Sequence, residues 1–212
     1  MNMTENKCNE CGQVFVSKEL LMEHAKMHMS NAKKDLSAGN VITSSIIGGI
    51  IGGILMLLVL MAGAARMGLS ATTFALVMGM GLGASMGSAV MVGILGHFIV
   101  SIVAGAAFGT IVYYVKPLRL KDGQRSLILG LVFGIVLYLI FFLPMAITVF
   151  ASVMMNLMGA KGALMLPDVL VIGFIGHVLY GLGLGATAFY VSRKHMTKCP
   201  VAECNYEQQR ST

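Results

Sequence analysis

Charge is the scarcest property of this 212-residue chain, with only 11% of its residues Asp, Glu, Lys or Arg. A soluble domain of this length carries about 25% charged residues, so that class is excluded. Acids are rarer than bases, nine against fifteen. No paired carboxylates fall inside an apolar run, and Asp168 stands alone at the start of the last one. A phosphate-cradling glycine loop and a Ser/His/Asp set are also missing, so nothing points to an enzyme. A cleavable signal peptide is not expected either, because the N-terminus is polar and carries Cys and His at meaningful spacing.

What fills the chain instead is hydrophobic sequence: 57% of residues, with a mean hydropathy of +0.82. The apolar residues do not form one helical face. They fill whole windows of about 20 residues, the length that crosses a hydrocarbon core of about 30 Å. The expected fold is an all-α membrane protein in contact with the lipid bilayer. It is also duplicated. Gly93, Gly96, His97 and Gly105 align with Gly173, Gly176, His177 and Gly185 at an offset of 80, and Gly49 and Gly53 align with Gly130 and Gly134 at an offset of 81. Internal repetition outranks other readings of a pattern, and here it predicts a tandem two-helix repeat with four transmembrane helices.

These helices are expected at about Val41–Ala64, Met91–Val115, Ser126–Pro144 and Asp168–Val191, the third with the option of continuing past Pro144 as a kinked helix. Residues 1–30 then form an N-terminal module, 31–40 a linker, 41–115 the first membrane unit, 116–125 a basic loop, 126–194 the second unit and 195–212 a tail. Nearly all Lys and Arg near helix ends lie in the linker, the 116–125 loop and the tail; the other two connections hold only Arg66 and Lys161. The positive-inside rule therefore puts both termini and the central loop in the cytoplasm, in a multi-pass protein of the cell membrane. Copies with two crossings each share one orientation and are related by an axis along the membrane normal. Residues 69–90 and 145–167 are expected to be outer, interfacial or re-entrant segments, although 69–90 is apolar enough to span. Glycine pairs at G-x-x-x-G spacing (Gly48/Gly52, Gly49/Gly53, Gly105/Gly109, Gly130/Gly134, Gly181/Gly185) predict close helix packing and allow a homo-oligomer.

The first thirty residues have different chemistry. Cys8-x2-Cys11-x12-His24-x3-His28 has the ligand spacing of a tetrahedral zinc site, and Phe15 and Leu21 sit where a small core would need them. The stretch resembles the C₂H₂ zinc-finger family in all six positions. That resemblance implies a small ββα unit that binds zinc through Cys8, Cys11, His24 and His28, with a hairpin first and a helix from about Ser17. A segment this short folds on metal-binding energy, and a reducing cytoplasm suits its thiolates. The positions that would reach base edges are Ser17, Leu20 and Glu23, and residues 1–34 hold five Lys against four Glu. Nucleic acid is therefore a poor partner, since phosphate neutralisation dominates such binding, and a cytoplasmic protein partner is the better expectation.

Inside the membrane unit His97 and His177 stand out, because ionisable groups within spans default to a functional role. Counting about 1.5 Å per residue, they lie roughly 28 Å from Lys116 and 24 Å from Arg193, which places both near the outer interface as a candidate second metal site. Each could instead cap a helix start or bond a neighbouring carbonyl. Methionine is abundant, 18 residues, and its thioethers favour Cu(I), although Met also serves as flexible apolar filler. His195, Cys199 and Cys204 form too irregular a set to name a site. The glycine-rich repeat resembles uncharacterised multi-pass membrane proteins of prokaryotes, archaea included, a likeness that brings no activity. Three readings stand: a membrane-anchored docking module or sensor, a small transporter or copper-handling protein using paired outer-side His and Met, and a membrane-tethered nucleic-acid binder.

Overall fold

The computed structural model describes residue 8 and residues 12–35, 38–115, 118 and 123–196. The chain divides into two compact units, one of residues 41–191 and one combining 1–40 with 192–212. Among the described residues there are seven helical stretches: α1 (Lys18–Asp35), α2 (Ala38–Arg66), α3 (Thr73–Gly81), α4 (Met86–Tyr114), α5 (Gly123–Met158), α6 (Ala160–Leu164) and α7 (Leu166–Met196).

Four of them, α2, α4, α5 and the 166–192 part of α7, are long and apolar enough to cross a membrane. The chain is a multi-pass membrane protein by this measure. Leu95, Ile99 and Val103 on α4, and Ile128, Val132 and Val136 on α5, present exposed ridges that only lipid would cover without cost.

The helices cross where glycine lets backbones touch. Gly49 on α2 lies against Ser101 and Gly105 of α4, and its repeat mate Gly130 on α5 lies against Gly181 and Gly185 of α7. Any side chain at these positions would collide with a facing carbonyl, so small residues carry the contact. The adjacent face of α2 carries a second contact, with Gly48 against Leu184 and Gly52 against Tyr180. Helix α2 therefore sits between α4 and α7.

One helix boundary departs from expectation, and another takes an option that the sequence left open. Helix α4 starts at Met86, a turn before the expected Met91. Helix α5 runs through Pro144 to Met158, so 145–158 is its continuation rather than a separate outer segment. Proline removes one donor and collides with the preceding turn. The helix accommodates it by widening into π turns at Tyr138–Phe142 and Ala146–Phe150, one on each side.

The counterpart in the first repeat behaves differently. Helix α3 has nine residues, about 13 Å at the usual rise, so it does not reach across a hydrocarbon core. Gly68 and Gly83, both with positive φ, reverse the chain on either side of it. It lies along the first half of α4, with Gly79 against Ala89 and Gly93 against Ala75. Phe74 meets Phe150 of α5 with ring centroids 5.4 Å apart. The repeats match in their long helices and diverge here.

In the smaller unit the expected ββα arrangement is not what the described residues form. They contain no strand, only an isolated bridge residue at Val14 ahead of α1. Cys8 N–H donates to Gln13 O (2.8 Å) and Gly12 N–H to Cys8 O (2.9 Å), with Gly12 at a φ of 77°. The Ser17 hydroxyl already accepts from Leu20 N–H at 3.3 Å to start the helix. These bonds account for the described residues ahead of α1, and the residues that would pair with Val14 lie outside the described ones.

Candidate functional site

The centre of the larger unit holds a chain of polar side chains in an otherwise apolar interior. His97 is about three turns into α4 and His177 about three turns into α7. Both lie eleven residues after the first residue of their helices, at matching positions. Neither caps a helix start.

The two imidazoles use their ring nitrogens differently. His97 Nε2–H donates to Gly53 O of α2 at 2.9 Å. A methyl group added at Gly53 would lie 2.6 Å from Ser101 Oγ and 3.7 Å from that nitrogen, so the glycine supplies the carbonyl to His97 and leaves space for Ser101. His177 Nδ1–H donates to Gly173 O of its own helix at 2.8 Å. Each ring is thereby fixed in one tautomer.

One turn further along, the helices are tied together. Ser101 Oγ–H donates to His97 O at 2.8 Å, and Tyr180 O–H crosses from α7 to Ser101 O on α4 at 2.9 Å. Ser101 follows His97 by about a turn of α4, and Tyr180 follows His177 by about a turn of α7. The cross-helix bond therefore joins α4 and α7 about one turn beyond the two histidines. His177 also lies within electrostatic reach of His97.

An aromatic wall closes the α5 side. Tyr138 and Phe142, the two ends of the first π turn, have ring centroids 5.6 and 5.1 Å from the His177 imidazole. Tyr138 O–H donates to Leu170 O at 3.2 Å. Met56, one turn beyond Gly53 on α2, packs its Cγ 3.2 Å from where a side chain at Gly176 would begin, and it is buried. His177 is only 8% exposed.

Sequence reasoning singled out the two histidines but not Ser101, Tyr138, Tyr180 or Met56. A signal was present for two of them. Ser101 falls four residues after His97 and Tyr180 three after His177, spacings that put each on its histidine's helix face. Tyr138 becomes a neighbour of His177 through the π turn, which leaves no mark in the apolar pattern.

In the smaller unit Cys8 and His24 are both buried, at 5% and 4% exposure, and the Phe15 ring lies on the His24 imidazole with centroids 4.6 Å apart. Cys11 and the side chain of His28 lie outside the described residues, as do the side chain of His195 and all of Cys199 and Cys204. Among the described residues no group of three or more His, Cys, Asp or Glu converges on a metal position. Val14, Val16, Leu20 and Met27 are exposed around this unit, Val16 at 93%. Comparison with families of known proteins, with curated proteins and with solved structures gives no match.

Proposed function

We propose that this chain is a membrane-anchored interaction protein. Its N-terminal finger, stabilised by zinc on Cys8, Cys11, His24 and His28, docks a cytoplasmic protein partner, and the four-helix bundle serves as anchor or sensor. The observation that carries this reading is the joint burial of Cys8 and His24 in a unit of few apolar residues. Zinc ligation would supply the folding energy that a segment this short lacks.

The exposed Val14, Val16, Leu20 and Met27 support docking to protein over nucleic acid. Leu20 and Glu23 stand at positions that would have to read bases, and they bring no donor and the wrong charge. Packing supports the anchor role, since the polar side chains of the bundle donate to backbone carbonyls of their own or neighbouring helices.

The test is metal content of the purified full-length protein. One zinc per chain is expected, falling below about a tenth in a C8S/C11S variant. A photo-crosslinking residue at Val16 should give one discrete protein adduct in cells, and that adduct should disappear in the same variant. Wild-type protein free of zinc after mild purification would end the reading.

A further inference from the structure

We infer that the centre of the bundle is a binding site for a soft monovalent cation of the copper(I) class, with His97 Nδ1, His177 Nε2 and the Met56 thioether as ligands. This goes beyond the docking reading and does not rest on it.

The hydrogen bonds supply the first argument. His97 donates through Nε2 and His177 through Nδ1, so the opposite nitrogen of each ring carries a bare lone pair. Neither of these nitrogens has a hydrogen-bond partner among the described residues. Metal-ligating histidines characteristically donate their other N–H to a backbone carbonyl or carboxylate, which fixes tautomer and orientation. Both rings meet that condition, through Gly53 O and Gly173 O.

Proximity is the second argument. The Tyr180–Ser101 bond at 2.9 Å joins α4 and α7 about one turn beyond the two histidines. Met56 belongs to the helix that lies between α4 and α7. It follows the Gly53 that holds His97 by one turn, and it packs on Gly176, the residue beside His177. His177 is also within electrostatic reach of His97, so the two imidazoles and the thioether stand on neighbouring turns of three packed helices.

The ligand set decides which ion. All three ligands are neutral, and no Asp, Glu, Lys or Arg lies in the stretches 41–64, 86–114 or 169–191. The cost of desolvating an ion grows with the square of its charge, and nothing here would offset a second positive charge. A thioether beside imidazole selects the soft d¹⁰ monocation over zinc or a hard divalent ion. Two or three ligands also suffice for copper(I), so the absence of a fourth is no obstacle.

The experiment uses the full-length chain in lipid nanodiscs with all four cysteines replaced (C8S/C11S/C199S/C204S), so that no thiolate competes. Copper(I), kept reduced by ascorbate without oxygen, is titrated against bicinchoninate. One equivalent should bind. Its affinity should fall tenfold or more in His97→Gln and in His177→Gln, and several-fold in Met56→Leu. No uptake, or unchanged affinity in the H97Q/H177Q double variant, would overturn the assignment.

Should a histidine variant fail to fold, ¹⁵N-histidine NMR of the cysteine-free chain with silver(I) reads the site without further substitution. A coordination shift is expected at Nδ1 of one intramembrane ring and Nε2 of the other, with His24, His28 and His195 as internal references. Unmoved resonances on both intramembrane rings would refute it. Because the finger's thiols are absent throughout, a negative result here leaves the zinc reading untouched, and failure of the zinc reading leaves this one standing.

Discussion

His97 and His177 occupy matching positions of a duplicated unit, yet one ring reaches across to α2 and the other turns back on its own helix. The difference has a consequence for stability. His97→Ala removes a tie between α4 and α2, whereas His177→Ala removes only a bond within α7, so His97→Ala should lower the thermal midpoint in detergent more. Tyr180→Phe should cost about 0.5–1.5 kcal/mol, the range for interhelical hydrogen bonds in membranes; equilibrium unfolding in mixed micelles measures it. A Tyr180→Phe variant as stable as wild type would mean that the bond to Ser101 carries no weight. At this scale the sequence was informative about which side chains are anomalous and silent about their depth. The apolar pattern cannot distinguish a helix that starts at Met91 from one that starts at Met86, because Met86, Gly87, Ser88 and Ala89 are neither strongly apolar nor charged.

At the level of elements, the four long helices and their glycine contacts were legible because both follow from physics that acts along the chain: length against bilayer thickness, and small residues at helical spacing. Pro144 left two readings open, a stop or a kinked continuation. A proline near the end of an apolar run reads as a stop, and only the paired π turns around it let α5 continue. The repeated crossings make a sharp prediction. Gly49→Val and Gly130→Val, which both drive a side chain into a facing carbonyl or backbone, should destabilise by similar amounts, about 1–3 kcal/mol each. Gly87→Ala, on a stretch of α4 where nothing lies within 4 Å of the added methyl, should be neutral or stabilising by up to about 1 kcal/mol. Thermal unfolding of the three variants in one detergent tests the set, and a Gly87→Ala loss as large as that of Gly49→Val would contradict the packing account.

For the molecule as a whole, the positive-inside rule predicts that the N-terminal segment, the 116–125 loop and the tail share one side of the membrane. A membrane-impermeant maleimide applied to intact cells should therefore label Lys161→Cys, near the α5–α7 connection, and leave a cysteine introduced at Thr212 untouched. Labelling at Thr212 from outside would break the arrangement. In the smaller unit the sequence anticipated a helix from about Ser17, which α1 from Lys18 matches, whereas the described residues ahead of it form a turn at Gly12 and a serine cap and no strand. The short helix α3 matters most here. By folding back along α4 instead of crossing, it keeps the first copy at an even number of passages. A segment with that parity can be copied in tandem without inverting anything downstream of it, so duplication could enlarge this protein in a single step while every flanking region kept its compartment.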